Sequence, residues 1–247
     1  MQIVYTTTDT VSMNAGSYLE SKRQNNDSIK ITVTDTSLLD FSCDANAKDP
    51  IIFLSKHVSS KNIRSFTVHS EGNWASEAKL GGKPNELSTA APIPMFSVLK
   101  RMKSAAPKDM NVTYEATHHG PLLNVPSFFA EVGGDETTIK NKELAEFLAD
   151  SVLEAIENPE SPRKVVVGIG GNHYASKFTK LAIENDYAFS HIMPRYYVSE
   201  TNVLGQAFER SVPKAESAVI EWKTLNSAER LNVLNELKKL GIEYEKT

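Results

Sequence analysis

The sequence predicts one α/β domain over residues 1–247, in which helices flank a mixed, largely parallel β-sheet. Segments with the character of strands alternate with segments of helical periodicity, and no repeat or low-complexity tract interrupts them. A chain of 247 residues is also long enough to bury a large core without disulfides. Ligands of such folds bind at the carboxyl ends of the strands, so we expect the functional side chains there.

The predicted strands are short runs of apolar, β-branched and aromatic residues. The first begins at the second residue of the chain, where Ile, Val, Tyr and Thr follow one another. It has neither the basic flank nor the long apolar run of a signal peptide. The strand predictions cover residues 2–7, 29–35, 51–54, 65–69, 114–116, 164–169 and the short run 188–189.

The predicted helices carry their apolar residues on one face. The clearest covers residues 142–158 and ends at Asn158, which precedes a proline. Gly241 stands where a left-handed C-cap would end the last helix. Residues 81–94 are rich in glycine and proline, and they predict a long loop of the kind that covers binding sites. The remaining helices are predicted over residues 11–21, 95–103, 177–184 and 228–240.

The composition excludes several classes of protein. Acidic residues outnumber basic residues by 31 to 27, which argues against a general nucleic-acid-binding protein. No apolar run is long enough to span a membrane. The single cysteine, Cys43, can form neither an internal disulfide nor a thiolate metal site, and the acidic Asp44 beside it disfavours a reactive thiolate. We expect a cytoplasmic protein.

The histidines form the most informative pattern in the chain, because they follow or end predicted strands and glycines lie near most of them. Histidine is the commonest metal ligand and the usual acid or base near neutral pH. The distribution therefore predicts either a zinc site or a histidine acid–base pair at one rim of the sheet. The six histidines are His57, His69, His118, His119, His173 and His191.

The adjacent histidines His118 and His119 impose a geometric condition. In a continuing strand their side chains would point to opposite faces, so both reach one site only if the strand ends before the Gly-Pro pair that follows. Glu131 lies in an apolar run and is the leading candidate for a general base, since burial would raise its pKa. Glu115 is a second candidate, although a glutamate on a strand can also face solvent.

The turn after residues 164–169 contains Gly170 and Gly171, whose backbone N–H groups are expected to face a carboxylate, phosphate or oxyanion. Its spacing matches neither the dinucleotide-binding fingerprint nor the P-loop. The chain has no G-x-S-x-G nucleophile elbow and no H-E-x-x-H zinc helix. These absences argue against a serine hydrolase of that type.

Taken in order, these segments resemble the archaeal-type D-aminoacyl-tRNA deacylases, the class shared with plants. The resemblance covers roughly residues 2–196, and the double histidine and the G-G-x-H-Y-A segment are its specific parts. It is carried by Y-E-A-T-H-H-G-P at 114–121, E-V-G at 131–133 and G-I-G-G-N-H-Y-A at 168–175, with S-K-H at 55–57 before them and H-I-M-P-R-Y at 191–196 after them.

The resemblance implies an enzyme that hydrolyses the ester between a D-amino acid and tRNA. It also implies zinc dependence and a fold similar to the peptidyl-tRNA hydrolases and phosphorylase-like proteins. Three positions depart from the pattern expected of the family. Ser176 replaces a proline, Arg195 replaces a lysine and Gly134 replaces a small hydroxyl residue, but no departure removes a histidine.

The resulting hypothesis assigns roles to residues. We expect zinc to be bound by some of His118, His119 and His173, and to polarise the ester carbonyl or to lower the pKa of a bound water. A rival mechanism uses no metal and relies on the histidines and the terminal hydroxyl of the tRNA. The remaining assignments are Glu131 or His69 as the base, His57 as a further catalytic residue, and Lys56, Asn73, Gly170, Gly171 and Arg195 as substrate contacts.

An aminoacyl-tRNA substrate also requires cations. No obligate protein partner is evident, and we expect a monomer. Two other functions remain open: a zinc-dependent peptidase or amidohydrolase acting on a small substrate, and a non-enzymatic RNA- or nucleotide-binding module, which would leave the histidines unexplained.

The cations that a tRNA substrate requires are expected in the best local basic cluster of the chain. This cluster comprises Lys100, Arg101, Lys103 and Lys108, together with Lys79 and Lys83 of the predicted loop.

Overall fold

The computed structural model describes residues 1–22, 29–44, 47–59 and 61–247. Within these ranges helices are interspersed among the strands, although some strands follow one another with no α-helix between them. The strands are β1 (Gln2–Thr6), β2 (Lys30–Thr34), β3 (Ile51–His57), β4 (Ser65–His69), β5 (Asn111–Tyr114), β6 (Ser127–Gly133), β7 (Lys164–Ile169), β8 (Tyr187–Met193), β9 (Ser217–Ile220) and β10 (Tyr244–Lys246). The α-helices are α1 (Thr10–Lys22), α2 (Pro92–Ala105), α3 (Glu136–Lys140), α4 (Lys142–Glu157), α5 (Ser176–Asn185), α6 (Leu204–Glu209) and α7 (Ser227–Leu240).

The strands form two sheets. The first sheet has six strands in the order β2-β1-β3-β6-β4-β5, and its only antiparallel neighbours among the described strands are β4 and β6. The second sheet has four parallel strands in the order β10-β9-β7-β8. The predicted mixed, largely parallel α/β fold is confirmed. The division of the strands between two sheets was not predicted.

The main hydrophobic core lies on one face of the six-stranded sheet. Along β3, Ile52 and Leu54 point into this core, whereas Ile51 and Phe53 point to the other face, as the pleat requires. Helices α1, α2 and α4 contact strands on the core side, and α2 also contacts β8 of the second sheet. One cluster of buried side chains therefore includes residues of both sheets. No helix in the described part of the chain has the length and hydropathy that a membrane span requires.

The largest difference from the prediction is β6, a central strand that the sequence does not reveal. All seven of its residues are buried, so it lacks the alternation of apolar and polar side chains that marks a half-exposed strand. Helix α2 begins at Pro92 rather than at residue 95, because proline suits the first helical turn. The predicted loop is therefore irregular only as far as Ala91. Strands β9 and β10 and the short helices α3 and α6 were also not predicted.

Candidate active site

The polar side chains of the candidate site lie on the sheet face opposite the main core. Glu131 of β6 pairs with Ser55 of β3 on one side and with Thr67 of β4 on the other. Its carboxylate is therefore near the middle of this face. The sequence predicted a site at the carboxyl edge of the sheet. Because β4 runs antiparallel to β6, His69 at the end of β4 pairs with Phe129 instead of lying at that edge.

Glu131 lies between two histidines. Its Oε2 atom is 3.5 Å from Nδ1 of His57 and 3.6 Å from Nε2 of His69. Burial alone would raise the pKa of Glu131, but the two imidazoles hold that pKa well below its ordinary value. The predicted rise in pKa is therefore wrong, because the apolar neighbours in sequence are not the groups that face the carboxylate. Glu131 is an ionised proton acceptor at neutral pH.

Glu115, which follows β5, is a second fully buried carboxylate. Its Oε1 atom is 3.1 Å from Nδ1 of His57, and its Oε2 atom is 3.3 Å from Nε2 of His173 and 3.8 Å from Nε2 of His118. Burial would raise the pKa of Glu115, but His173 and His57 hold it at about 2. Conversely, burial would lower the pKa of His57, but Glu115 and Glu131 raise it to about 11. The alternative in which Glu115 faces solvent is thus wrong.

Both members of the double histidine reach the site. Strand β5 ends at Tyr114, and His119 has a φ of 44°, in the left-handed region where side chains no longer alternate as in a strand. The ring centroid of His69 is 4.2 Å from that of His118 and 4.7 Å from that of His119. The geometric condition that the sequence imposed is therefore met. Burial lowers the pKa of His119 to about 4 and that of His118 well below its ordinary value.

Three histidines are oriented in the same way. The Nδ1 atoms of His69, His118 and His119 lie 3.2, 2.8 and 2.6 Å from backbone carbonyl oxygens. A carbonyl oxygen only accepts, so each Nδ1–H is the donor, and each ring when neutral presents a lone pair at Nε2. Histidine ligands of metal ions are commonly oriented by a hydrogen bond of this kind from the other ring nitrogen. One ligand nitrogen from each of the three residues lies within 4.8 Å of the others.

A second group of potential ligands comprises His57, Glu115 and His173, again with one ligand atom each within 4.8 Å of one another. The buried Nε2 atoms of His57 and His69 have no hydrogen-bond partner among the described residues, and the carboxylate oxygens of Glu115 face histidine nitrogens. Buried polar atoms are normally paired, so this concentration of nitrogen and oxygen atoms could hold a cation. The grouping differs from the predicted ligand set, because His69 joins the double histidine and His173 belongs to the second group.

Two cavities meet at the histidines. The first, which we call the Lys56 cavity, has a volume of about 550 Å³ and is also lined by Thr6, Thr8, Asp9 and Glu131. The second, which we call the Tyr196 cavity, has a volume of about 260 Å³. Both are lined by His118, His119 and His173, so these three side chains form a shared wall.

The residues predicted to contact substrate are not all at the cavities. Lys56 lines the cavity that we named after it, and its backbone N–H donates to Oδ2 of Asp9 at 2.8 Å. Asn73 lines the Tyr196 cavity, where its Nδ2 donates to the carbonyl oxygen of Gly81 at 3.0 Å. Arg195 is exposed and is not among the described residues that line either cavity.

The predicted oxyanion-binding role of Gly170 and Gly171 is wrong. The N–H of Gly170 donates to the carbonyl oxygen of Met193 at 2.8 Å, and that of Gly171 donates to Oγ1 of Thr224 at 2.9 Å. Neither amide therefore has a proton left for a substrate oxygen. The two glycines have φ values of 103° and 76°, and they form the turn that carries the chain from β7 to His173.

His191 is the one histidine outside the cluster. It is completely buried, its Nε2–H donates to the carbonyl oxygen of Arg210 at 3.0 Å, and its Nδ1 lies 3.3 Å from Oγ1 of Thr117. Burial lowers the pKa of His191 to about 4, so the ring is neutral. It stabilises the segment that leads to the double histidine and does not face either cavity.

The predicted basic cluster lies away from the site. Lys100 contacts Asp186 at 2.8 Å and Glu160 at 3.3 Å, and these acids precede β8 and β7, at the sheet edge opposite His173. Arg101 forms an ion pair with Glu154. These charges are therefore neutralised locally. Of the six basic residues predicted to bind tRNA, only Lys79 lines a cavity that includes the histidines.

Some site residues were not predicted. Asp9 accepts the N–H of Ser12 and so caps α1 while facing the Lys56 cavity, and Trp74 and Tyr196 line the other cavity. An aspartate before a helix is common in proteins, and so are adjacent aromatic residues after a strand, such as Tyr196 and Tyr197. Neither feature marks a functional site when only one sequence is considered. Burial raises the pKa of the Cys43 thiol, which agrees with the expected lack of reactivity.

Comparison with known proteins finds a matching family. The family model described as D-aminoacyl-tRNA deacylase matches residues 45–245. A D-aminoacyl-tRNA deacylase of Ignicoccus hospitalis is 39% identical over 206 residues, which cover 82% of this chain and 83% of the relative. The corresponding protein of Pyrococcus furiosus is 38% identical, with 79% and 73% covered. The crystal structure of a conserved protein of unknown function superposes with a TM-score of 0.87 at 30% identity, covering 99% of this chain and 94% of that one.

Proposed function

The chain belongs to the D-aminoacyl-tRNA deacylase family, and from this membership we propose that it hydrolyses the ester that links a D-amino acid to tRNA. The products are free tRNA and the free D-amino acid. The observation that carries the proposal to this chain is the cluster of five histidines and two buried glutamates at the junction of two cavities. We further propose a monomeric, cytoplasmic enzyme, since all the site residues come from one chain and tRNA is the substrate.

We propose His69, His118 and His119 as the ligands of a zinc ion. Zinc is commonly bound by three imidazoles, and here the Nδ1–H of each ring donates to a backbone carbonyl oxygen. With only three protein ligands, one coordination position remains for substrate. A bound zinc ion supplies Lewis acidity to an ester carbonyl. The second group, His57, Glu115 and His173, has the composition to hold a further ion of the same kind.

Glu131 is the proposed general base. Its carboxylate is ionised and lies on the wall of the Lys56 cavity, so it can take a proton from the attacking water and return it to the departing ribose oxygen. His57 contacts both carboxylates through Nδ1 and is therefore a positioning residue that keeps Glu115 and Glu131 ionised. Of the two bases that the sequence predicts, Glu131 and His69, we retain Glu131, because His69 is a proposed zinc ligand.

The decisive experiment compares D- and L-aminoacyl-tRNA as substrates, before and after metal removal with a chelator. We expect selective release of the D-amino acid, loss of activity on chelation and recovery on addition of zinc. Equal rates with both enantiomers would contradict the deacylase function. Full activity after verified metal removal would contradict the zinc proposal and favour the metal-free mechanism through the terminal hydroxyl of the tRNA.

A further inference from the structure

The shared histidine wall divides the space around the site into two compartments. His118, His119 and His173 line both the Lys56 cavity and the Tyr196 cavity. A substrate whose scissile ester lies at this wall must extend one part into each cavity. In an aminoacyl-tRNA, the two parts on either side of the ester are the amino acid and the 3′-terminal nucleoside.

Exposed apolar side chains concentrate around the two cavities. Nine large apolar or aromatic side chains are exposed among the described residues, and three of them, Val58, Leu80 and Tyr196, line the cavities. Leu80 lies between the cavities, since it lines both, and is 58% exposed. Water-facing apolar groups at a polar catalytic cluster indicate a substrate that covers them.

The Tyr196 cavity has the chemistry of a nucleobase site. The ring of Tyr196 is 53% exposed and packs edge-on against Tyr197, with 4.8 Å between the ring centroids. Exposed aromatic rings of this kind stack on the bases of single-stranded nucleic acids. Trp74 also lines the cavity, and its buried Nε1–H has no acceptor among the described residues. Asn73 contributes an amide side chain to the same wall.

We propose that the Tyr196 cavity binds the terminal nucleobase of the single-stranded 3′ end of tRNA, with the Tyr196 ring as its stacking surface. The inference rests on the proposed function, since it assigns one part of that substrate to one cavity. The amino acid then enters the Lys56 cavity on the other side of the histidine wall.

The charges support this orientation. Lys79 lines the Tyr196 cavity, and its ion pair with Glu77 at 2.7 Å is exposed, with 80% and 67% of the two side chains accessible. Exposed pairs of this kind are weak, so Lys79 can exchange Glu77 for a tRNA phosphate. The Lys56 cavity contains one lysine, Lys56, but two buried acidic side chains, Asp9 and Glu131, together with the hydroxyls of Thr6 and Thr8. A carboxylate disfavours phosphate there and favours the ammonium group of an amino acid.

A binding experiment tests the stacking contact without any chemistry. The probe is an RNA that ends in CCA, has no amino acid attached and carries 2-aminopurine in place of the terminal adenine. We expect the wild-type protein to quench its fluorescence and Tyr196→Phe to retain the quenching. Tyr196→Ala should weaken binding roughly tenfold or more, as expected for the loss of one base stack. The matched control is Tyr244→Ala, which removes a tyrosine that is 39% exposed on β10.

The outcomes separate this inference from the proposed function. Equal quenching and affinity for wild type and Tyr196→Ala would overturn the nucleobase site, whatever the activity of the enzyme. A wild-type protein that binds the RNA through Tyr196 but does not cleave D-aminoacyl-tRNA would refute the deacylase function and leave the binding site intact. If both proposals hold, Tyr196→Ala raises KM for D-aminoacyl-tRNA roughly tenfold or more, and Tyr244→Ala does not.

Discussion

Glu131 and His69 meet with 3.6 Å between Oε2 and Nε2 because their strands run in opposite directions. The antiparallel pairing puts His69 beside Phe129, two residues before Glu131, and both side chains point away from the main core. In a parallel pairing the end of β4 would lie at the carboxyl edge of the sheet, as His57 does on β3. The proposed base and the proposed zinc ligand are therefore brought together by one reversal of strand direction.

Replacing Glu131 with glutamine should remove the proposed general base with little change in volume. We expect kcat for D-aminoacyl-tRNA to fall roughly 10²- to 10⁴-fold, with KM nearly unchanged, since the group acts on the water and not on binding. Single-turnover hydrolysis with radiolabelled amino acid measures the effect. Circular dichroism checks the fold, and a variant that keeps kcat within about threefold of wild type would refute the role of base.

The two groupings of ligands predict different metal contents for two matched variants. His69→Ala should lose the zinc ion that we propose for His69, His118 and His119, because a three-ligand site does not survive removal of one ligand. His173→Ala should keep that ion, since His173 belongs to the group with His57 and Glu115. Elemental analysis after dialysis gives zinc per chain. Retention of all zinc by His69→Ala and its loss by His173→Ala would favour the ligand set predicted from sequence.

The sequence predicts which residue types form the site better than it predicts their partners. His118 and His119 could be placed together because the Gly-Pro pair after them ends any strand, and this depends only on local backbone chemistry. The pairing of His69 with Glu131 could not be predicted, because it depends on the direction of β4 relative to a strand about 60 residues later in the chain, and β6 itself gives no strand signal.

The same limit applies to the glycine turn and to the basic cluster. Gly170 and Gly171 look like free N–H donors in sequence, but Met193 and Thr224, which satisfy them, lie more than 20 residues further on. In the sequence Lys100 is an unpaired cation that could contact phosphate, but in the folded chain it forms an ion pair with Asp186. A hydrogen-bond or ion-pair partner that lies far away in the chain cannot be predicted from the residues next to the group that it binds.

Gly120 should be intolerant of any side chain. A Cβ atom at this position would lie 2.4 Å from both the backbone nitrogen of Gly82 and the backbone oxygen of Leu39, and backbone atoms cannot swing aside. We expect Gly120→Ala to lower the free energy of unfolding by roughly 3 kcal/mol and to disturb the adjacent His119. Urea unfolding measures the loss. Gly205→Ala is the control, because its Cβ would be 3.4 Å from Leu240, an ordinary contact. Equal stability of the two variants would contradict the prediction.

The buried neutral His191 should make the fold sensitive to acid. Burial lowers its pKa to about 4, against 6.5 in the unfolded chain, so between these values the unfolded state binds more protons than the folded state. Stability due to this group is therefore fully present above pH 6.5 and is lost as the pH falls towards 4, by up to roughly 3 kcal/mol. His191→Gln cannot titrate and should flatten this part of the stability profile. A slope identical to wild type in urea titrations at several pH values would contradict this account.

The salt dependence of tRNA binding should locate the cations that contact phosphate. Lys100 and Arg101 already pair with acidic residues on the far side of the sheet, so we expect Lys100→Gln with Arg101→Gln to leave the slope of log Kd against log salt unchanged. Lys79→Gln should reduce that slope by about one unit, because its removal deletes one phosphate contact and the counterion released with it. Filter binding of uncharged tRNA over a range of salt concentrations gives both slopes. If the double variant flattened the slope and Lys79→Gln did not, the tRNA would have to lie across α2, and the orientation inferred from the Tyr196 cavity would be wrong.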